Sequence, residues 1–382
     1  MRIHLPITDQ HPSRFFRKKG VALLLLTAWL MVPAFAFDWP MFRGNAQNTG
    51  VAEPGFPNKP QVLWSFEAGE DGVDGTAAIS GNTVYVTSLD GHLYALDFKT
   101  GALKWKYKAA DEIKCSASVH KGLVYFGDER GYFHALDAKT GALRWKFETE
   151  GAIVSGPKFS GDGVFFGSYD SVFYALTAAD GKKLWSMETS GYVHASPAVY
   201  NKEMISSGCD GYMRAMAADG GKERFELSMD GYVAASPAVV GDRAYVGTFE
   251  NRVMCVDLKT GKAIWTYEHA ERKFPYYSSP AVVDGRVLIG GRDKLMHALD
   301  ANTGKEVWSL RLRGKIDSSP VVSGALVIFG DTTGQLFALN HKTGETVWKY
   351  DTGSGVTSSP AISDGKMVIG LDSGIVLCFG KK

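Results

Sequence analysis

The amino-acid sequence predicts an all-β fold, an eight-bladed β-propeller in which every blade has four strands. The first observation is a repeated turn, A-x-D-x-x-T-G-x-x-x-W, which is complete at 95–105, 135–145 and 298–308. The second is its spacing. The glycine of each copy lies at 101, 141, 181, 221, 261, 304 and 344, so the period is 40 residues with one step of 43. The third is that each period carries four strand-like segments and no helical pattern. Such a period is typical of propellers.

The first unit shows where the four strands lie. Short apolar segments at 76–79, 83–87 and 92–96 read as the first three strands, and at 103–107 apolar residues alternate with lysines, the period of two of a strand. Asp97 and Gly101 lie between the third and fourth segments, where a tight hairpin is expected, because glycine adopts positive φ and aspartate hydrogen-bonds its own turn.

The number of blades follows from the two ends of the repeat array. An inner-strand signature, Ser-Pro-Ala-Val or a relative of it, begins near 76, 116, 155, 196, 236, 279, 319 and 359, which gives eight units. The last unit stops after Phe379 and lacks a fourth strand, while Gln61–Phe66 forms an extra strand before the first unit. We expect this early strand to complete blade 8 and close the ring, since closure removes an exposed edge.

The first 36 residues have the composition of a secretory signal peptide. Basic residues precede a short apolar run at 21–32, and Ala34-Phe35-Ala36 resembles a cleavage site. An uncleaved membrane anchor is the alternative, although the run is short for a bilayer span. No cysteine follows the run to carry a lipid. We therefore expect three parts, a leader (1–36), a lead-in segment (37–60) and the propeller (61–382), and a periplasmic or secreted chain with no transmembrane span after cleavage.

Charge and cysteine usage narrow the functional classes. Without residues 1–36 the chain carries 37 Lys and Arg against 40 Asp and Glu, a formal charge of −3, and no basic stripe predicts nucleic-acid binding. Repeat alignment places Cys255 and Cys378 in different blades, and no blade contains a pair of cysteines. Free thiols that act as small apolar side chains are expected, and no cysteine–histidine cluster has the spacing of a metal site.

The repeated turn resembles that of the pyrroloquinoline-quinone-type propellers, with its tryptophan docking motif, and residues 38–50 resemble the N-terminal segment of such proteins. The resemblance covers nearly all of 38–379. It implies that the repeated tryptophans are structural and pack between blades. These tryptophans are Trp64, Trp105, Trp145, Trp185, Trp265, Trp308 and Trp348; Phe225 takes the place of the fourth.

The resembled superfamily contains both quinoprotein dehydrogenases and the outer-membrane assembly factor BamB. The dehydrogenases are expected to carry adjacent cysteines, metal-binding carboxylates and long covering loops, whereas this sequence has no adjacent cysteine pair and short loops. It also has no nucleophile–base motif or phosphate-binding loop. We therefore predict no catalytic residue, no metal and no cofactor, and a non-catalytic, BamB-like, monomeric scaffold that binds envelope proteins. The alternative is an oxidoreductase that binds pyrroloquinoline quinone or another ligand.

The most varied residues fall on one predicted face, which carries the loops into each inner strand and between second and third strands. Loops on a rigid scaffold often carry function. For any one of these residues, the simplest interpretation is a solvent-exposed loop residue with no binding role. The extended loop at 269–277 adds further aromatic and basic residues. The candidate binding residues on this face are Lys114, Arg130, Tyr192, His194, Tyr232, Tyr276, Tyr277 and Arg292.

Overall fold

The computed structural model describes residues 38–382, and these form only strands, turns and loops. Thirty-three strands assemble into eight sheets, which are the eight blades of a β-propeller. The predicted fold class is therefore confirmed. The proposed leader lies outside the described residues. Within 38–382, no helix is long and apolar enough to cross a membrane.

Two strands precede the first blade, β1 (Val51–Ala52) and β2 (Gln61–Glu67). The strands of blades 1 to 4 are β3 (Ala78–Ser80), β4 (Thr83–Thr87), β5 (His92–Asp97) and β6 (Leu103–Lys108); β7 (Ser118–His120), β8 (Leu123–Gly127), β9 (Tyr132–Asp137) and β10 (Leu143–Glu148); β11 (Lys158–Ser160), β12 (Gly163–Gly167), β13 (Val172–Thr177) and β14 (Lys183–Glu188); and β15 (Ala198–Tyr200), β16 (Glu203–Ser207), β17 (Tyr212–Ala217) and β18 (Glu223–Ser228).

The strands of blades 5 to 8 are β19 (Ala238–Val240), β20 (Arg243–Gly247), β21 (Arg252–Asp257) and β22 (Lys262–Glu268); β23 (Ala281–Val283), β24 (Arg286–Gly290), β25 (Leu295–Asp300) and β26 (Glu306–Arg311); β27 (Val321–Ser323), β28 (Leu326–Gly330), β29 (Gln335–Asn340) and β30 (Thr346–Asp351); and β31 (Ala361–Ser363), β32 (Lys366–Gly370) and β33 (Ile375–Gly380). Each blade is an antiparallel meander, with its second and third strands almost fully buried between neighbouring blades.

The ring closes as the sequence predicts. Strand β2 pairs antiparallel with β33 along its whole length, from Gln61 opposite Gly380 to Glu67 opposite Ile375. Blade 8 therefore takes its outer strand from the beginning of the chain and its other three from the end. Because neither piece is complete alone, the two ends of the chain hold each other. Strand β2 covers the edge that β33 would otherwise expose.

The repeated glycine and tryptophan meet between blades rather than within one repeat. A Cβ on Gly141 would lie 2.6 Å from the ring of Trp105, which belongs to the preceding blade, and Gly141 has a φ of 74°. The same contact joins Gly101 to Trp64 and Gly181 to Trp145. A Trp145 Nε1–H also donates to the carbonyl of Ala178 in blade 3, at 3.2 Å. The turn therefore needs glycine both for its backbone conformation and for the indole that lies on it.

Candidate functional site

The central channel opens on the loop face into a chamber of about 400 Å³. Two rings of residues line it, with one residue of each ring from each blade. The lower one, here called the serine ring, is Thr76, Ser116, Gly156, Ser196, Ser236, Ser279, Ser319 and Ser359. The upper ring, two positions earlier in each repeat, is Asp74, Lys114, Val154, His194, Ala234, Tyr277, Asp317 and Thr357. The serine ring is nearly constant and the upper ring is variable, so the chemical character of the chamber comes from the upper ring.

The serine ring links each blade to the next. The N–H of Ser196 donates to the Ser236 hydroxyl at 2.8 Å, and the N–H of Ser236 donates to Ser279 at 2.9 Å. Equivalent bonds join blade 1 to blade 2, blade 3 to blade 4, blade 6 to blade 7 and blade 7 to blade 8. The serine hydroxyls thus accept hydrogen bonds from buried backbone N–H groups that precede the inner strands. The ring therefore fixes the spacing of the loops above it.

One side of the upper ring is aromatic. His194 lies between two tyrosine hydroxyls, with Tyr169 Oη 2.7 Å from Nδ1 and Tyr277 Oη 3.2 Å from Nε2. Burial lowers the pKa of His194 to about 4, so the imidazole is neutral at pH 7. In neutral imidazole one nitrogen donates and the other accepts, which matches the two hydroxyls. Tyr192 stacks on Tyr169 with ring centroids 4.7 Å apart.

The other side of the upper ring is acidic. None of the ion pairs among residues 38–382 includes Asp74, although its carboxyl borders the chamber. The Asp74 side chain is exposed to the solvent of the chamber, but protein surrounds it on its other sides. This burial, and then the nearby charge of Asp372, raise the pKa of Asp74. Thr357 donates to Asp372 at 2.6 Å.

The two cations at this mouth already have acidic partners. Arg292 makes a bidentate pair with Asp317, with N–O distances of 2.8 and 3.0 Å, and its guanidinium lies 4.6 Å from the Tyr277 ring centroid. Lys114 Nζ lies 3.1 Å from Glu129 and 3.6 Å from Glu112. The mouth of the chamber therefore carries more negative than positive charge.

The lead-in segment closes the other end of the channel. Its carbonyls accept inner-strand N–H groups from six blades, all but blades 3 and 8, from Trp39 with Ile79 to Gly50 with Val322. Strand β1 then adds in parallel to β27. Phe42 from this segment forms part of the chamber floor. The chamber is therefore a pocket with one mouth rather than an open pore.

Two buried cations hold the lead-in segment in place. Lys158 replaces the small residue that begins other inner strands, and its Nζ donates to the carbonyls of Phe42 and Asn45. Arg43, which has a φ of 63°, donates from Nη2 to Pro280 O at 2.9 Å. Burial lowers the pKa of Arg43 to about 9; burial, and then the charge of Arg43, lower that of Lys158 well below its ordinary value. Backbone carbonyls therefore occupy Lys158, which has a structural role, whereas Arg43 bonds one carbonyl through Nη2 and its Nε and Nη1 are buried without a hydrogen-bond partner among the described residues.

The structure brings together part of the predicted binding face. Lys114, His194 and Tyr277 line the chamber, and Arg292 packs behind Tyr277. Tyr192, Tyr232 and Arg130 are exposed on the loops around it, with Tyr232 62% exposed. Six of the seven predicted tryptophans, all but Trp348, lie against the turn glycine of the next blade. Five of the six donate Nε1–H to a carbonyl of that blade: Trp64, Trp145, Trp185, Trp265 and Trp308.

Tyr276 corrects one sequence interpretation. It is only 1% exposed and lies in the core between blades 5 and 6, with its hydroxyl 3.5 Å from His297 Nε2. In the other blades its position holds a buried valine or isoleucine, such as Val233 or Ile316. The three extra residues at 269–277 obscure this register. Of the two adjacent tyrosines only Tyr277 reaches the chamber.

Sequence reasoning gave no role to Lys158. It placed Phe42 and Arg43 in the N-terminal segment and Tyr169 on the varied face, but did not include them among the candidate binding residues. Lys158 did carry a signal, because a lysine at a position otherwise filled by small or apolar residues breaks the repeat. The four cysteines are free, and Cys115, Cys255 and Cys378 are buried. Within the described residues, no group of three or more His, Cys, Asp or Glu has a metal-binding arrangement.

Several solved structures have the same fold as this chain. BamB from Moraxella catarrhalis is 21% identical, with a TM-score of 0.73 over 85% of this chain and 98% of that one. A europium-containing methanol dehydrogenase is 16% identical, with a TM-score of 0.75 over 90% and 98%. A quinohemoprotein alcohol dehydrogenase from Comamonas testosteroni is 15% identical, with a TM-score of 0.79 over 91% and 82%. At these identities the likeness shows the fold alone.

A comparison with curated proteins found no match to the chain. A family model matches it in three overlapping stretches, 57–126, 111–272 and 250–380, which together span all eight blades. That family is described as outer membrane protein assembly factor BamB. The chain belongs to this family of propellers.

Proposed function

We propose that this propeller is a non-catalytic scaffold of the cell envelope that binds protein partners through its loop face, in the manner of a BamB-like assembly factor. The observation that carries the proposal is the excess of negative charge at the chamber mouth, which does not suit an anionic cofactor. Membership of the BamB family supports the same proposal. A second observation supports it. Tyr192 and Tyr232 are 52% and 62% exposed on adjacent blades, and exposed aromatic side chains are enriched at protein interfaces.

The alternative is an oxidoreductase that binds pyrroloquinoline quinone, and two of the similar structures favour its consideration. A tricarboxylate quinone needs cations for its carboxylates and flat surfaces above and below its ring. Here Lys114 and Arg292 are already paired with acids, and Asp74 presents a carboxylate where the cofactor would need positive charge. The residues present do not fit that group. We therefore place the scaffold function first.

The localisation is part of the same proposal. The composition of residues 1–36 supports export, and we expect the mature protein to begin at Phe37. Intact-mass measurement of the protein from its native envelope tests this, and a mass that begins before Phe37 contradicts the proposed cleavage.

A paired experiment separates the two functions. The mature protein is immobilised to capture envelope proteins, and the same preparation is titrated with pyrroloquinoline quinone and calcium. The scaffold function predicts partners that a Tyr192, His194 and Tyr232 to Ala variant captures weakly, and no tight quinone binding. Micromolar or tighter quinone binding that is lost on replacing Lys114 or Arg292 would make the oxidoreductase the better assignment.

A further inference from the structure

The serine ring contains hydrogen-bond donors that the protein does not use. Six hydroxyl oxygens of the ring each accept an N–H from the preceding blade. None of these six hydroxyls donates its own proton to a protein acceptor within 38–382, and all are more than nine-tenths buried on the chamber wall. Buried hydroxyls ordinarily have a partner for their proton. These protons are therefore available to the acceptor atoms of a bound molecule.

The upper ring adds two different walls above these donors. Blades 7, 8 and 1 present the oxygen atoms of Asp317, Thr357 and Asp74. Blades 4 and 6 present the rings of His194 and Tyr277, with Tyr169 beside them. The small side chains of Val154 and Ala234 leave room between the walls. A molecule in the chamber therefore meets hydroxyl donors below it, oxygen acceptors on one side and aromatic surface on the other.

This arrangement disfavours three classes of ligand. An anion would meet Asp74, which is in no ion pair among residues 38–382, while Lys114 is occupied by Glu129 and Arg292 by Asp317. An apolar molecule would leave both the hydroxyl donors and the carboxylates without partners. A simple amine would pair with the carboxylates, but it has no acceptor atoms for the ring of hydroxyls below. A fitting ligand has both donors and acceptors distributed over its surface, and an apolar face.

We propose that the chamber binds a small neutral saccharide or a related polyol. Its alcohol oxygens accept from the serine ring, its hydroxyl protons are donated to Asp74 and its neighbours, and its C–H face lies against the Tyr277 and Tyr169 wall. The chamber volume of about 400 Å³ is at the lower end of the range for small-molecule pockets and suits one or two sugar rings. The chamber adjoins the proposed protein-binding loops and shares His194 with them. Asp74 tests saccharide binding alone and the exposed Tyr232 tests partner capture alone, so either assignment can fail without the other.

Titration calorimetry tests the proposal with the mature protein and a panel of probes. D-glucose, D-galactose, N-acetylglucosamine and maltose represent the proposed class, spermidine represents amines and citrate represents anions. We expect at least one saccharide to bind with a dissociation constant below about 1 mM, and spermidine and citrate to bind more weakly. Asp74→Asn keeps the shape and removes the strongest acceptor. It should weaken saccharide binding about tenfold without lowering the melting temperature.

Two further variants separate the site from the fold. Ser236→Ala removes one ring donor but also the acceptor for the Ser196 N–H, so it is expected to destabilise the protein. Tyr277→Phe keeps the ring and removes only the hydroxyl. Asp364→Asn, on an exposed hairpin, is the matched charge control. The proposal is overturned if no saccharide in the panel binds, if spermidine or citrate binds best, or if Asp364→Asn weakens binding as much as Asp74→Asn.

Discussion

The two ends of the central channel are built in different ways. The closed end is formed mainly by backbone, because carbonyls of the lead-in segment accept hydrogen bonds from the inner strands of six of the eight blades. The open end is formed by side chains, with one variable residue from each blade above a nearly constant serine ring. Backbone bonding in a closed ring tolerates little change, whereas single side chains can be replaced without disturbing the strands. The closed end therefore carries stability, and the open end is free to carry recognition.

The largest expected effect comes from removing the material of the closed end. Deletion through Phe66 removes the lead-in segment and β2, so β33 loses its partner and the ring opens. We expect aggregation or loss of cooperative unfolding, measured by calorimetry and light scattering. The control is the mature protein, which begins at Phe37. A deletion protein that melts like this control would contradict the closure.

Trp145→Ala is expected to cost about 3 kcal/mol of unfolding free energy, the lower end of the range for large buried aromatic side chains, because Trp145 is only half-buried. The indole covers Gly181 of the next blade and donates to Ala178 O, so its loss opens an interface. Chemical denaturation measures the change. Trp145→Phe is the matched variant, because Phe225 occupies the same position over Gly261; a loss as large as that of Trp145→Ala would contradict the packing role.

Lys158→Met tests whether one side chain holds the lead-in segment. The variant keeps the length of the side chain but leaves the carbonyls of Phe42 and Asn45 without a donor, which should cost about 2–3 kcal/mol. Lys342→Met, at an exposed pair with Asp284, is the control and should change stability by less than about 0.5 kcal/mol. Equal denaturation midpoints for the two variants would show that Lys158 does not brace the segment.

Two histidines give the protein opposite pH dependences. Burial lowers the pKa of His194 to about 4, so its contribution is present above pH 6.5 and is lost as the pH falls towards 4. His297 is buried, which opposes its charge, but the hydrogen bonds that its ring donates to the carboxylates of Asp293 and Glu306 outweigh burial and raise its pKa. Its contribution is present below pH 6.5 and is lost as the pH rises through the folded-state pKa. The His194 effect is about 3 kcal/mol.

Stability curves of His194→Gln and His297→Gln between pH 4 and 9 measure these contributions. His194→Gln should flatten the acid side, where the partners of the imidazole are Tyr169 and Tyr277. His297→Gln should flatten the alkaline side. A His194→Gln curve that keeps the acid loss in full would show that another group causes it.

The smallest stability effect is expected at the open end. Simultaneous replacement of Tyr192, His194 and Tyr232 by Ala removes exposed aromatic surface and one bridging imidazole, so the melting temperature should fall by only a few degrees. Partner capture should weaken strongly, because exposed aromatic anchors contribute most to interfaces. A large loss of stability with unchanged capture would reverse the roles assigned to the two ends.

The parts of the molecule that repeat were predictable from the sequence. Eight inner-strand signatures and seven turns define the blades, and the missing outer strand at Phe379 points to Gln61–Phe66 as its replacement. Positions before each inner strand also point to the chamber, because the same repeat position recurs in every blade. Lys114, His194 and Tyr277 follow from this rule.

The parts that do not repeat were not predictable in the same way. The lead-in segment is fixed by carbonyl groups, which every residue has, and by single side chains such as Arg43 and Lys158, so its path over the channel leaves no repeated pattern in the sequence. Tyr276 and Tyr277 are adjacent and chemically equal, and only the register of a lengthened loop decides that the first is buried. Tyr169 comes from another loop, and its contact with His194 depends on the angle between blades.

Site-specific photo-crosslinking in the native envelope tests the central claim most directly. One variant carries the crosslinker at Tyr232 on the open end, and the other carries it at Val240 on the opposite face, which is also exposed. The account predicts a discrete protein adduct at Tyr232 that is lost when Tyr192 and His194 are replaced by Ala, and none at Val240. Adducts at Val240 alone, or equal adducts at both positions, would contradict recognition through the open end.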